Sequence, residues 1–409
     1  MTLDITRIRS SYPALDDGYA YLDGAAGTQM PSGVVEAISG AYLAGLGNLG
    51  GAFPASHRSG EIVRACRQAV ADLVGGEPLG VILGPNMTTL TYRLAETLSR
   101  CWAHGDEVVV SQLDHDANVR PWVQAAARAG AIVRWAEVDA GSGELATGQY
   151  DELLSERTKL VAVTAASNLI GTRPDVAAIA RKAHDAGALT YIDGVHTTPH
   201  GPVDVAALGA DFYATSAYKW SGPHIGAVIA SPGLLETLHP DKLEPAPGSV
   251  PGRFERGTLP FADLAGVVAA VAHLASLDPA ATGSRRERIV TSMTAVEAYE
   301  GSLFESLVSG LEAIGRVTTY GKAPHRAPTA CFNIAGLRPY DVAEHLARRR
   351  VNVWSGDNYA WELAGVLHIR DSGGAVRAGV VHYNDESDVN RLLEAVAELA
   401  GAVQVSPAS

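Results

Sequence analysis

Cysteine and long apolar runs are scarce in this chain of 409 residues. Its three cysteines, Cys66, Cys101 and Cys331, form no metal-binding or disulfide pattern, and a small, odd set of this kind is typical of a reducing compartment. No apolar segment is long enough to cross a bilayer, and residues 1–10 lack the hydrophobic core of a secretion signal. We therefore predict a cytoplasmic protein that does not depend on a membrane.

Positive charge is scarce as well. The 32 lysines and arginines are outnumbered by 45 aspartates and glutamates, so the formal net charge is −13. Because nucleic acids and anionic membranes bind basic surfaces, neither is predicted as a partner. The remaining composition, 47% hydrophobic and 19% charged, is that of an ordinary globular protein, and the length allows two or three domains.

Strand and helix patterns alternate through the first two thirds of the chain. Short runs rich in Val and Ile alternate with segments in which apolar residues recur at helical spacing, which predicts a mostly parallel sheet with helices on both faces. The predicted strands are 107–113, 131–138, 159–167, 188–194, 211–219 and 225–231, and the predicted helices are 34–44, 59–76, 88–105, 119–131 and 175–188.

The pattern changes near residue 280. Residues 284–315 predict one long helix or two abutting helices, and shorter strands and helices follow as far as residue 401. We therefore predict an N-terminal segment over 1–20 that packs with a small domain, a large domain over 21–282, and a smaller α+β domain over 283–409. The tail over 402–409 is expected to fray.

Three motifs suggest binding sites but are weak. Residues 45–50, GLGNLG, have the spacing of a dinucleotide site but follow a helical pattern, so we predict a loop that ends a helix. His196 and His200 have zinc-like spacing, but Pro199 would break the helix that aligns them. The segment 114–116, DHD, more often lines a pocket than binds a metal. No metal site is predicted.

Polar side chains lie at or just after the ends of four predicted strands. In an open α/β sheet, ligands bind beyond the carboxyl ends of the strands, so these residues are the candidates for a functional site. They are His115 after 107–113, Asn168 after 159–167, Asp193 and His196 after 188–192, and Tyr218 and Lys219 after 211–217.

The lysine suggests a carbonyl cofactor. Lys219 is one of only five lysines and lies among small, aromatic and hydroxyl side chains in the segment TSAYKWSGPHIG, although lysine usually prefers water. A lysine in a partly dry pocket has a lowered pKa and can attack a carbonyl, and the best-known such use is a Schiff base with pyridoxal 5′-phosphate (PLP). Taken alone, Lys219 could instead extend to solvent.

PLP has four further needs: a carboxylate at its ring nitrogen, a flat side chain on its ring, donors for its phosphate and a donor for its ring oxygen. The residues that could meet them are Asp193 for the nitrogen, His115 for the ring face, Thr88, Thr89 and Ser216 for the phosphate, and Asn168 or His196 for the ring oxygen.

Each of these residues has a plainer interpretation when it is taken alone. Asp193 could be a turn residue, His115 a histidine at the rim of the sheet, and the Thr88–Thr89 pair a helix cap. Their joint occurrence at the ends of predicted strands favours the cofactor.

The segments that hold these residues resemble the class-V aminotransferase family of PLP enzymes (fold type I), and most closely its cysteine desulfurase-like branch. The resemblance implies an α/β large domain with a mostly parallel sheet of the seven-stranded type, and a smaller α+β C-terminal domain. The matching segments are 20–38, 84–95, 111–122, 163–172, 191–231, 252–260 and 376–384, of which 191–231 is the most specific.

The resemblance also implies roles for single residues. Lys219 corresponds to the lysine that binds the cofactor, and the other cofactor residues keep the roles given above. His196 takes the place of a glutamine that donates to the ring oxygen. The remaining implied roles are Asn168 for cofactor and substrate, Arg377 for the substrate α-carboxylate, and Gly257 and Thr258 for the phosphate of a neighbouring subunit in a homodimer.

Two positions depart from the family pattern. Tyr218 stands where many members have histidine, and its hydroxyl could still donate to the phosphate. In the loop 355–362, Tyr359 takes the place of the nucleophilic cysteine of true cysteine desulfurases. Because a phenol cannot accept sulfane sulfur, the usual persulfide chemistry is not expected.

We therefore predict a homodimeric PLP enzyme that acts on an L-α-amino acid through an external aldimine and a Cα carbanion. Lys219 is the expected base, with His115 and Asp193 as the other catalytic residues. The substrate side chain is expected to contact Trp354, Asn358, Tyr359 and Trp361.

The expected reaction is the elimination of a group from Cβ, with cleavage of a C–S bond favoured. The alternatives are an epimerase, an aminotransferase, and a cysteine desulfurase with an atypical sulfur acceptor. An inactive PLP-binding scaffold or sulfur-relay partner is disfavoured because Lys219, Asp193 and Arg377 are all present.

Overall fold

A computed structural model describes residues 3–402, and over that range the chain forms three sheets. The tail that was predicted to fray lies outside the described residues, apart from residue 402. The strands are β1 Ala20–Tyr21, β2 Val81–Gly84, β3 Glu107–Ser111, β4 Ile132–Ala136, β5 Thr158–Thr164, β6 Leu189–Asp193, β7 Phe212–Ser216, β8 Gly226–Ala230, β9 Val317–Tyr320, β10 Thr329–Ile334, β11 Val351–Asn352, β12 Trp354–Gly356 and β13 Ala375–Gly379. The helices are α1 Ile5–Ser10, α2 Ser32–Ala44, α3 Pro54–Val74, α4 Met87–Leu98, α5 Arg120–Ala129, α6 Tyr150–Leu153, α7 Val176–Asp185, α8 Pro232–Glu236, α9 Phe261–Leu274, α10 Arg285–Ala313, α11 Pro339–Arg348, α12 Trp361–Val366 and α13 Glu386–Ala402.

The largest sheet has seven strands in the order β2-β8-β7-β6-β5-β3-β4. Strand β8 runs antiparallel to both of its neighbours, and the other pairs are parallel. Strands β7, β6, β5 and β3 are consecutive neighbours, so their carboxyl ends meet at one edge of the sheet. The four strand ends singled out in the sequence therefore lie side by side.

Helices cover both faces of this sheet. Val108 and Val110 of β3 pack with Leu94 of α4 and Trp122 of α5 in one apolar core, whereas Val109 packs in the core on the other face with α3, α7 and α9. Because successive side chains of a strand point to opposite faces, a continuous Val run needs apolar cover on both sides. The predicted α/β fold is confirmed.

A smaller α+β domain follows. Its antiparallel sheet has the order β12-β13-β10-β9, and α10, α11 and α13 share an apolar core with it. The sequence left open whether 284–315 is one helix or two; the structure has one helix of 29 residues, which begins with a capping box between Ser284 and Glu287.

The N-terminal segment contacts both parts of the chain. Arg7 donates hydrogen bonds to the carbonyls of Ser276 and Leu277, and Arg9 forms an ion pair with Asp388 at 3.0 Å. The boundaries at residues 20 and 282 stay a prediction. Within residues 3–402, no helix is both long and apolar enough to cross a membrane.

Several elements were missed in the sequence. Strands β2 and β9 have four residues each, and β1, β11 and β12 are shorter still, so periodicity cannot identify them. Gly45 ends α2 with φ of 81°, as expected for the GLGNLG segment.

Candidate active site

The edge formed by the ends of β3, β5, β6 and β7 opens into two adjoining cavities. The first, called the inner cavity here, has a volume of about 500 Å³, and the second, the outer cavity, about 780 Å³. Predicted residues that line the inner cavity are Thr88, His115, Asn168, Asp193, His196, Ser216, Tyr218 and Lys219. The outer cavity shares His115, Asn168, Tyr218 and Lys219 and adds Trp354, Asn358, Tyr359 and Arg377.

Lys219 ends the short turn that follows β7. Its side chain is buried, its Nζ donates a hydrogen bond to the carbonyl of Ala25, and the Tyr218 ring centroid lies 5.4 Å from Nζ. Burial, with a smaller contribution from the Arg377 charge, lowers the pKa of Lys219 to about 7, although Asp193 opposes the shift. The amine is therefore partly neutral at neutral pH and able to attack a carbonyl.

Asp193 is the last residue of β6. Its Oδ1 accepts a hydrogen bond from the Val195 N–H at 2.9 Å. Burial raises the pKa of Asp193 to about 6, against the opposing effects of that N–H and of Lys219. A cationic partner such as a protonated pyridine nitrogen would hold this carboxylate in its charged form.

The N-terminus of α4 forms another wall. The Asn86 side chain caps the helix by accepting from the Thr89 N–H at 2.8 Å, and Ser216 Oγ accepts from the Met87 N–H at 3.1 Å. A Cβ on Gly226 of β8 would lie 2.3 Å from the carbonyl carbon of Asn86, so glycine allows the close approach. A helix start beside a hydroxyl group suits a phosphate.

Thr89 lies apart from the inner cavity. It lines a neighbouring surface groove together with Thr88, His115 and Tyr218.

His115 follows β3 and presents a neutral flat ring. Its Nδ1 accepts a hydrogen bond from the Ala117 N–H at 3.0 Å, which assigns the proton to Nε2. Burial, with smaller contributions from Lys219 and Arg377, lowers the pKa of His115 to about 3. The ring stacks on Tyr359 with 5.4 Å between centroids and 20° between planes.

His196 and Asn168 each leave a buried polar atom free. His196 Nε2 lies 2.8 Å from Thr329 Oγ1, whereas its Nδ1 has no hydrogen-bond partner among the described residues. Asn168 Nδ2 donates to the Asn358 carbonyl at 2.7 Å, whereas its Oδ1 is unpartnered over the same range. Because such atoms are costly to bury, they mark positions where a ligand would bond. The lysine, carboxylate, helix start and unpartnered atoms fit PLP.

Arg377, on β13, extends into the outer cavity. It donates to the carbonyl of Asn168 at 2.8 Å. Burial lowers its pKa to about 10, so the guanidinium stays charged at neutral pH. Trp354 lies directly opposite Arg377 in the neighbouring strand β12, and such pairs share a face of the sheet. An arginine so placed can bind a carboxylate with two hydrogen bonds.

The loop between β12 and α12 covers the mouth. Asn358 and Tyr359 adopt left-handed backbone conformations, with φ of 52° and 59°. Their carbonyls accept from Asn168 Nδ2 and from the Asp116 N–H, each at 2.7 Å. Trp361 was expected to contact the substrate side chain, but it lines neither described cavity. Its ring packs against Arg370 instead, with 4.4 Å between the ring centroid and Cζ of the guanidinium.

Gly257 and Thr258 lie at the surface and line neither cavity of the described chain. Their predicted contact with a neighbouring subunit stays a prediction. His196 and His200 have different polar partners, and residues 3–402 contain no group of three or more potential ligands that could hold a metal.

Sequence reasoning assigned no role to Asn86. Asn86 lines the inner cavity, and its position before MTTL is a helix-cap signal that could have identified it. Asp114, which was expected to line a pocket as part of the DHD segment, lines neither cavity, and burial raises its pKa to about 8. Its bonds to Ser111 and Asn118 depend on tertiary packing and gave no signal.

The fold and these side chains define an α/β enzyme whose buried lysine can hold a carbonyl cofactor. The family model for aminotransferase class-V matches residues 20–392, and the chain belongs to this family. Membership confirms the prediction of an enzyme that uses PLP.

Known relatives match almost the whole chain. An uncharacterized protein of Mycobacterium tuberculosis is 37% identical over 98% of this chain and 100% of its own. A probable cysteine desulfurase of Pseudomonas aeruginosa is 33% identical over 95% of this chain and 96% of its own. The crystal structure of the cysteine desulfurase CsdA from Escherichia coli superposes with a TM-score of 0.87, at 27% identity, over 99% of this chain and 100% of that one.

Proposed function

We propose that this PLP-dependent enzyme is a lyase that eliminates a group from Cβ of an L-α-amino acid, most readily by cleaving a C–S bond. The observation that carries the proposal is that Lys219 and Arg377 line one cavity whose covering loop bears Tyr359 in place of a cysteine. The cavity thus contains a base and a group that can bind a carboxylate, but its covering loop has no cysteine that could form a persulfide.

Each residue acts at a defined position. Arg377 binds the substrate α-carboxylate, and Asp193 holds the charge on the ring nitrogen of the cofactor. Bound PLP supplies an electron sink for the charge that develops at Cα. Lys219 Nζ, with its pKa at about 7, takes the Cα proton.

Water is the only other reactant that the elimination needs. The bond between Cβ and sulfur breaks, and the thiol leaves with a proton. Hydrolysis of the remaining enamine gives pyruvate and ammonium.

The cysteines do not support a persulfide route. Cys331 lies opposite Arg377 in the small sheet but lines neither cavity, and burial raises the pKa of its thiol to about 12. Cys66 is also buried, with its pKa likewise raised to about 12 by burial. Cys101 is exposed but is also absent from both cavity walls. A protonated thiol is a poor nucleophile.

The lining of the outer cavity favours a substrate with a bulky, flat substituent on the departing sulfur. Trp354 is the cross-strand neighbour of Arg377, and Tyr359 lies over His115, so aromatic rings border the space beyond the carboxylate anchor. We therefore expect S-benzyl-L-cysteine to be a better substrate than S-methyl-L-cysteine or L-cysteine.

The test is to incubate the holoenzyme with these three amino acids and to assay the products. Equal amounts of pyruvate and ammonium are the expected outcome. Alanine with protein-bound sulfur would instead show a desulfurase, and the D-isomer an epimerase. When a 2-oxo acid is added as amino acceptor, a 2-oxo acid that keeps the sulfur substituent, formed without ammonium, would show an aminotransferase.

A matched pair of variants tests the pocket. Tyr359→Ala should raise the KM for S-benzyl-L-cysteine about three- to tenfold, because it removes an aromatic contact, and should leave that for the S-methyl compound nearly unchanged. Tyr359→Phe should keep both values. Equal effects of Tyr359→Ala on both substrates would contradict this pocket.

We further propose that the enzyme is a cytoplasmic homodimer with shared active sites. The three cysteines are free rather than disulfide-bonded in the described residues, which supports a reducing compartment.

A further inference from the structure

A row of buried polar side chains runs behind the inner cavity. His200 Nδ1 lies 2.7 Å from Oε2 of Glu300, and Oε1 of Glu300 lies 4.0 Å from His382 Nδ1. His382 Nε2 lies 2.7 Å from the hydroxyl of Tyr12. All four side chains are at most 1% exposed. We call these four residues the Glu300 row.

The Glu300 row joins separate parts of the chain. His200 follows β6 of the large sheet, Glu300 lies in α10, and His382 follows β13 of the small sheet. The Tyr12 hydroxyl also lies 2.8 Å from Oγ of Ser221, two residues after Lys219. The row therefore extends from the wall behind the cofactor cavity toward the turn that carries the lysine, and no hydrogen bond joins Glu300 Oε1 to His382 Nδ1 across their separation of 4.0 Å.

A buried glutamate at position 300 is unfavourable for the stability of the fold. Its carboxyl oxygens lie within 4.0 Å of the imidazoles of His200 and His382, while the nearby Arg173 guanidinium binds Glu297 and the His200 carbonyl instead. Burial raises the pKa of Glu300 well above its usual value and lowers that of His200 to about 3. Because an apolar side chain would suit a buried site better, the carboxyl group is expected to have a function.

The row reaches the cofactor cavity through a ring contact. The imidazoles of His200 and His196 meet edge to face, with 5.0 Å between centroids and 75° between planes. His196 is otherwise held by Thr329, and its Nδ1 is the buried atom without a partner among residues 3–402. The bond to Glu300 fixes the rotation of the His200 ring, which in turn limits the rotation of the His196 ring.

We propose that Glu300 is a positioning residue for the cofactor: through His200 it holds the imidazole of His196 in the orientation that bonds the ring oxygen of PLP. The inference rests on the proposed role of His196. The competing explanation is that Glu300 merely joins the two domains.

The test uses purified protein with PLP and no amino acid. For Glu300→Ala, Glu300→Gln and the control Glu305→Gln, we would measure the Kd of PLP for the apoprotein, the pH midpoint of the visible cofactor band, and the Tm. Glu305 is exposed on the same helix, so its variant should behave as wild type.

Glu300→Ala should weaken PLP binding about three- to tenfold and shift the pH midpoint, because the His200 ring loses its bond. The introduced side chain of the Glu300→Gln variant can still form a hydrogen bond with His200 Nδ1. This variant should therefore have a PLP affinity and a pH midpoint close to those of the wild type. Unchanged PLP affinity and band in Glu300→Ala would overturn the proposal.

A double variant separates positioning from general support. In a His196→Ala background, Glu300→Ala should have no further effect on the band or on PLP affinity, since it acts through His196. An undiminished effect in that background would show a structural role only.

A second route covers the case in which Glu300→Ala does not fold. His200→Asn can keep a bond to Glu300 but lacks the part of the ring that contacts His196, and it should reproduce the spectral shift. A wild-type spectrum in this variant would refute the proposal. A wild-type protein that takes up no PLP would instead overturn the proposed function itself.

Discussion

Lys219 and Asp193 are buried at neighbouring strand ends, and burial opposes the charge on both. It lowers the pKa of Lys219 to about 7 and raises that of Asp193 to about 6, while each charge partly offsets the shift of the other. The pKa of Lys219 therefore lies near neutral pH, where a base transfers protons most effectively, whereas a cationic cofactor would keep Asp193 charged. The identity of this pair was predictable because each residue lies at or near the end of a strong strand pattern. The sizes of the two pKa shifts were not predictable, because burial depends on the whole fold.

The lowered pKa of Lys219 predicts how the apoprotein acquires its cofactor. Only the neutral amine attacks a carbonyl, so the rate at which the visible band appears after PLP is added should rise with pH through about 7 and level off above it. For an ordinary lysine the rise would continue toward pH ~10.4. A rate that still climbs steadily beyond pH 9 would contradict the buried environment, and Lys219→Ala should give no such band at any pH.

At the scale of elements, local signals located the site and distant contacts completed it. The strands before His115, Asn168 and Asp193 could be predicted because each is a continuous buried run. The bond from Arg377 to the Asn168 carbonyl joins residues 209 positions apart, and no sequence pattern encodes it. The same holds for the covering loop, whose left-handed backbone at Asn358 and Tyr359 arises in residues that are not glycine.

Two substitutions at Asn86, the cap of α4, would distinguish the effect on helix stability from the effect on phosphate binding. Asn86→Ala removes the cap and should lower the free energy of unfolding of the apoprotein by about 0.5–2 kcal/mol in chemical denaturation. Asn86→Asp keeps a good cap, and with it the stability, but places a negative charge in the wall of the inner cavity. It should weaken PLP binding about tenfold or more through repulsion of the phosphate. Wild-type affinity in Asn86→Asp would show that the phosphate binds elsewhere.

At the scale of the whole molecule, large exposed apolar side chains are concentrated on α2 and in the segment that joins it to α3. Five large apolar side chains on α2 and in the segment before α3 are at least 51% exposed: Val35, Tyr42, Leu43, Leu49 and Phe53. The number of large exposed apolar side chains in this short part of the chain supports the proposed homodimer. The sequence could suggest the dimer only through the resemblance at Gly257 and Thr258, because a surface patch has no local pattern.

If two chains share their active sites, two inactive variants should restore one another. Lys219→Ala removes the lysine of a chain's own site, and Thr258→Asp should repel the phosphate in the site of its neighbour. In mixed dimers formed by co-expression, one site combines an intact Lys219 with an intact Thr258 from the other chain. Random assembly should therefore return about a quarter of the wild-type lyase activity and visible band. No recovery in tagged, verified mixed dimers, or wild-type PLP affinity in Thr258→Asp alone, would show that each chain forms its site by itself.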